Sequence, residues 1–222
     1  MVLIDVLLIE IIYFLAIASV CLAIFFRTRE LYSLSKHPGI FHFRNIFLYF
    51  SLAFLARLFF IATVLLYEPR PMMHFGPNIM AFLVFGYFST MAVLSTAAAA
   101  LSRKISADRS ALNNGMHITS IILSAFLFVT RTYDLLIIIQ GLIFFFTVVM
   151  ILLDKPRLSS LSGHNRLTYV LLFAFWLLNL FSSLREIPFE LKAGLYLVSA
   201  GIFLSIYMKV SRRLVENVRQ KK

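Results

Sequence analysis

Cysteine is nearly missing: Cys21 stands alone in 222 residues, which excludes a disulfide framework and any CxxC metal site. Charge is scarce as well, at 14% of residues, where a soluble domain carries about a quarter. Acidic residues are the rarer sign, with 10 against 21 basic ones and a net charge of +11. No basic stretch precedes the first apolar run, and Asp5 and Glu10 interrupt it; both features speak against a removable signal peptide. Bulky Val20 before Cys21 speaks against lipoprotein processing.

Metal-binding and catalytic signatures are also absent. The chain has no HxxxH or HExxH spacing, and a metal site needs converging imidazoles, usually with carboxylates. His37, His42, His117 and His164 fall in or beside loops, away from most acids. The segment PMMH, Pro71 to His74, offers soft ligands but too few for a copper site. No nucleophile–base pair is evident, so no catalytic residue, metal or cofactor is expected and an enzyme ranks last.

What the chain does have is hydrophobic length. It is 61% hydrophobic with 24 Phe, and its mean hydropathy is +0.90. Apolar runs cover roughly residues 2–26, 45–67, 77–101, 115–131, 134–153, 167–184 and 189–208. A helix needs about 20 apolar residues to cross the hydrocarbon, so the pattern predicts an all-α polytopic membrane protein, a bundle of seven spans. The fourth and sixth runs are short and must cross with little tilt. The segment TRTYD, Thr130 to Asp134, is the weakest boundary.

Loop charges give an orientation. Sixteen Lys and Arg lie after the first, third, fifth and seventh runs, four lie on the other side, and Arg57 is inside a run. Positive loops stay in the cytoplasm, so the expectation is an N-terminus outside, a C-terminus inside, and a place in the cell membrane. Asp5, Glu10, Glu68, Asp134, Glu186 and Glu190 then collect on the outer side, by simple charge segregation or as a cation-attracting mouth. The same distribution argues against nucleic acid, which requires a soluble basic surface. The tail 209–222 places Val210, Leu214 and Val218 at helical spacing among basic residues, a pattern suited to anionic lipid headgroups or a cytoplasmic partner.

One short echo bears on organisation. LYSLSKH, Leu31 to His37, matches LSSLSGH, Leu158 to His164, at five of seven positions. Both follow an inward-going run. With five extra residues in the first loop, FSLAFLARLFF (Phe50 to Phe60) aligns with LFAFWLLNLFS (Leu172 to Ser182), setting Arg57 opposite Asn179. This predicts parallel three-helix units, 1–101 and 132–208, joined by a linker helix 115–131 within one domain of 1–222. Parallel repeats are a known transporter plan, SWEETs included. The likeness is one of architecture, since the Pro-Gln dipeptide of the PQ-loop group does not occur here.

Arg57 is the sharpest candidate. An arginine at mid-membrane costs roughly 2.5–3.5 kcal/mol even on lenient scales and needs water or a partner. Glu10 is at similar depth on the preceding run and is the expected partner. Their roles are either a packing ion pair or an anion-binding or proton-coupled centre. Tyr13, Asn78, Gln140 and Asn179 are further polar groups in the outer half. The expected ligand-binding set is Arg57, Glu10, Tyr13, Gln140 and Asn179, the alternative being interhelical hydrogen bonds. Small residues from Ser89 to Leu101 predict a tightly packed central helix, with Ser89, Thr90, Ser95 and Thr96 as pore-lining alternatives. The leading function is binding and translocation of a small solute or ion. A receptor-like sensor or partner subunit is the alternative, and the oligomeric state stays open.

Overall fold

The computed structural model describes residues 2–66, 75–102, 109–130, 133–153, 161–182 and 187–219. They form seven α-helices: α1 (Val2–Ser35), α2 (Pro38–Leu66), α3 (Phe75–Leu101), α4 (Arg109–Thr130), α5 (Tyr133–Leu153), α6 (Leu161–Ser182) and α7 (Phe189–Arg219). PMMH and most of the interhelical basic residues lie outside the described residues.

Several helices outrun their apolar segments, chiefly at the end where basic residues gather. α1 continues through Arg27 and Arg29, and α2 begins before Arg44. Helical hydrogen bonding does not require apolar side chains, and Arg, Glu and Leu are good helix formers. The α1–α2 boundary is set instead by local chemistry. Pro38 occupies the first helical position of α2, where its missing N–H costs nothing. His37 caps that helix, its Nδ1 accepting the Gly39 N–H at 3.1 Å. Lys36 closes α1 with φ 53°, its N–H donating to the Tyr32 carbonyl at 2.9 Å. A non-glycine residue pays about 1 kcal/mol or more for this left-handed conformation. Lys36→Gly should therefore stabilise the protein by about 0.5–1 kcal/mol. A raised thermal midpoint in detergent would show it, and an unchanged or lower midpoint would refute it.

The echoed heptapeptides differ in local structure. Leu31–Ser35 end α1 and Lys36 and His37 form the turn, whereas Leu161–His164 open α6; Leu158–Ser160 lie outside the described residues. Proline explains the difference, because the residue before it is driven away from helical geometry. His37 precedes Pro38, but His164 precedes Asn165, so α6 winds up earlier. The side chains of Ser35 and Ser162, expected to cap these turns, are outside the described set.

Six helices close a ring in which α1 packs on α2, α2 on α3, α3 on α5, α5 on α6, α6 on α7 and α7 on α1. α4 packs on α3 and α5 from outside the ring. The first and last helices run in the same direction, since Glu10 meets Lys192 while Tyr13 meets Ser199. α3 is the most enclosed of the long apolar helices, with 56% of its apolar stretch buried. Its Ala92, Ala98 and Ala99 are buried and let neighbours approach.

The aromatic centre is formed by Phe47, Phe50 and Phe54 of α2 with Phe175 of α6 and Phe203 of α7. Phe175 and Phe203 meet edge to face at 4.2 Å between ring centroids. Phe203 also meets Phe47 and Phe50 at 6.1 and 6.3 Å. Crossed rings at the latter two separations are a favoured aromatic arrangement.

Polarity is inverted relative to a water-soluble bundle. On α4, Ser120 and Ser124 are buried while Ile118, Ile121, Ile122, Phe126 and Val129 are exposed. On α5, Gln140 and Thr147 are buried while Ile138, Leu142, Phe145 and Phe146 are exposed. So broad an apolar surface is incompatible with water, and it suits lipid tails, with polar groups joining helices inside. Buried hydroxyls often bond their own helix, as Thr96 does to the Ala92 carbonyl at 2.8 Å. By length and hydropathy, α1, α2, α3, α5 and α7 can cross a membrane, while α6 has a shorter apolar stretch, Leu167–Phe181. The molecule is a membrane-embedded helical bundle.

Candidate functional site

A partly open cavity lies between α2, α3, α5 and α6. Phe50, Ala53, Phe54 and Arg57 line it from α2, a spacing that keeps them on one helical face. Phe85 and Ser89 face it from α3, Ile137 and Gln140 from α5, and Phe175, Trp176, Asn179 and Leu180 from α6. It offers about 60 Å³ to the centres of water-sized groups.

The polar wall is held in place. Gln140 Nε2 donates to Ser89 Oγ at 2.9 Å and Thr90 Oγ1 at 3.2 Å, while Ser89 Oγ donates to the Gly86 carbonyl at 3.1 Å. Asn179 Nδ2 donates to the Phe175 carbonyl at 3.0 Å and Ser199 Oγ at 3.2 Å. Its Oδ1 accepts the Tyr13 hydroxyl at 3.0 Å. Trp176 lies parallel to Phe173 and close to α5 at Gly141, where an added Cβ would fall 2.9 Å from Cη2 of the indole. Glycine at that position therefore gives the indole its place in the wall. The guanidinium of Arg57 sits 4.6 Å from the centroid of Phe14 on α1, a cation–π contact.

A second polar group lies behind this wall. The Glu10 carboxylate accepts hydrogen bonds from the Lys192 ammonium and from the Tyr196 hydroxyl. The Tyr196 ring stacks on Tyr13 at 4.2 Å, and the Tyr13 hydroxyl shares a 2.6 Å hydrogen bond with Ser199. An ionic contact near the start of α1 and α7 is thus linked, through two stacked tyrosines and Asn179, to the cavity wall.

Of the five residues singled out from the sequence, Arg57, Gln140 and Asn179 line the cavity. Tyr13 is one hydrogen bond behind it, and Glu10 lies further along the network. The expected Glu10–Arg57 pairing is replaced: among the described residues the direct contacts of Glu10 go to Lys192 and Tyr196. The reason is ring closure, which places α7 beside α1. Lys192, Tyr196 and Ser199 were missed because Lys192 counted as a loop charge. Their spacing puts all three on one face of α7, opposite Glu10 and Tyr13, and that pattern was the available signal. Arg44, also counted as a loop charge, lies within α2 with its guanidinium 5.2 Å from each of the Phe25, Tyr32 and Phe41 rings. His117 Nδ1 meets the Tyr87 hydroxyl at 2.6 Å. The Asn78 side chain lies outside the described set.

No family model and no solved structure matches the chain. An uncharacterized protein of Archaeoglobus fulgidus is 30% identical over 217 residues, a match covering 92% of each chain. The likeness extends over nearly the whole length, and the chain belongs to the same family as this archaeal protein.

Proposed function

We propose that the protein spans the cell membrane seven times, N-terminus outside and C-terminus in the cytoplasm. In this reading it binds a small solute or ion in the central cavity and carries it across. The observation that carries the proposal is the cavity itself, a partly open, aromatic-lined pocket between α2, α3, α5 and α6 with Arg57, Ser89, Gln140 and Asn179 in its wall. Sixteen basic residues at one end of the runs against four at the other support the orientation. Anionic headgroups at that end suit the basic tail, into which α7 continues as far as Arg219.

Two features support a pair of three-helix units, α1–α3 and α5–α7, with α4 as linker. The offset that superposes LYSLSKH on LSSLSGH brings Tyr13 onto Gln140. Tyr13 crosses from α1 to Ser199 on α7, and Gln140 crosses from α5 to Ser89 on α3, so each links its own unit to the third helix of the other. The offset that pairs Arg57 with Asn179 also pairs Ala53 with Phe175 and Phe54 with Trp176, and all six line the cavity. Transporters built from repeats hold substrate at such a joint.

The test is a thermal-shift screen of the purified protein against solutes, ions and lipids, followed by uptake of any hit into proteoliposomes. A stabilising solute that is also taken up, with both effects lost in Arg57→Gln, is the expected result. Absence of any stabilising solute would refute the proposal. Binding without uptake would favour a receptor-like sensor that uses the same cavity.

A further inference from the structure

We infer that the cavity takes a small uncharged molecule with a compact apolar body and one hydroxyl, which donates its proton to the side-chain oxygen of Gln140. This rests on the solute-binding reading above and adds the chemical class. Gln140 is only 4% exposed and lines the cavity from α5. Its Nε2 donates to Ser89 Oγ and Thr90 Oγ1 on α3, which uses both amide protons. Ser89 enforces that orientation of the amide: its own proton goes to the Gly86 carbonyl, so its oxygen can only accept from Gln140. Oε1 of Gln140 then has no hydrogen-bond partner among the described residues. An amide oxygen can accept two hydrogen bonds, and a buried acceptor left with none is costly. A hydroxyl delivered by a ligand removes that cost.

The rest of the wall selects the same class. Asn179 gives its amide protons to the Phe175 carbonyl and Ser199 Oγ, while its oxygen accepts from Tyr13. The Arg57 guanidinium is engaged over Phe14 and elsewhere. The two amides and Ser89 therefore have no proton left for an anion, and no carboxylate lines the cavity to receive a cation. Burying an ion costs far more than burying a hydroxyl that finds an acceptor. A sugar would leave most of its hydroxyls unpaired against a lining dominated by Phe, Trp, Leu, Ile and Ala. Phe50, Phe54, Phe85, Phe175 and Trp176 suit an apolar body instead. The cavity is partly open, so such a molecule has a way in.

Trp176 is the single tryptophan of the chain and lines the cavity, so its fluorescence reports occupancy directly. Full-length purified protein in one detergent is titrated with cyclohexanol, methoxycyclohexane, cyclohexylammonium and cyclohexanecarboxylate. The ether keeps the ring and the oxygen and lacks the proton to donate. It also partitions more strongly into detergent, so a preference for the alcohol cannot come from partitioning. The expected result is a saturable change with cyclohexanol, with the ether and both ions about fivefold weaker or more. Gln140→Met should bring the alcohol down to the level of the ether and leave the ether unchanged. Equal weakening of both would assign Gln140 to packing alone and overturn the inference. Should that variant fail to fold, the wild-type ratio of alcohol to ether decides by itself. Equal binding of alcohol and ether, or tighter binding of either ion, would overturn the class while leaving a solute-binding cavity intact. A Trp176 signal indifferent to all four probes, in a protein that another solute stabilises, would likewise overturn the class alone. Indifference to the probes together with an empty thermal-shift screen would overturn the binding reading as well.

Discussion

Glu10→Gln should destabilise the protein by about 2–3 kcal/mol, somewhat below the 3–5 kcal/mol typical of breaking a fully buried pair. The discount follows from exposure: the Glu10 and Lys192 side chains are 12% and 21% accessible, so some screening remains. The loss arises because the Lys192 ammonium would keep its desolvated position with only a neutral amide to face, and because Tyr196 would lose a charged acceptor for its hydroxyl. Lys192→Met should cost a similar amount, and the double variant should cost far less than the sum. A coupling of about 1–3 kcal/mol is expected from residues in direct contact. Unfolding of the four proteins in one detergent measures it, and strict additivity would show that the contact contributes nothing to α1–α7 association. The same cycle run on Glu10 and Arg57 should give a smaller coupling, since Arg57 packs over Phe14 and does not touch the carboxylate.

Phe203→Ala should cost about 2–4 kcal/mol, toward the lower end of the range for a large buried aromatic. In water such a loss combines a transfer term with a cavity term. In lipid the transfer term nearly vanishes, because the surroundings are as apolar as the core. What remains is the loss of close contacts, and Phe203 is fully buried against Phe47, Phe50 and Phe175. Phe145 is 54% exposed on α5, and Phe145→Ala should change stability by less than about 0.5 kcal/mol. Comparable losses at the two positions, read from thermal midpoints in the same detergent, would mean that burial in this bundle does not organise its stability.

The elements whose positions were legible in the sequence are those written along the chain itself. Seven apolar runs became seven helices because hydrophobic length and helical hydrogen bonding are local properties. Arg57 was legible because a charge in an apolar run has few acceptable surroundings, and the structure puts it on a cavity. Gln140 and Asn179 carried the same signal more weakly, as amides within apolar segments. Helix ends were less legible, since hydropathy marks where a helix leaves lipid, whereas proline and capping mark where it stops. His37, Pro38 and Lys36 set the end of α1, well past the last apolar residue of the run.

What only the tertiary structure decided is which helix stands beside which. The partner of Glu10 is Lys192, far away in sequence, because the ring closes α7 onto α1. The exclusion of α4 from the ring, the meeting of α2, α3, α5 and α6 around one chamber, and the place of Trp176 against Gly141 have the same origin. In lipid every helix face is apolar enough to be solvated, so hydrophobicity alone cannot choose neighbours. Shape and polar contacts between distant segments make that choice, and they come together only when the bundle is assembled.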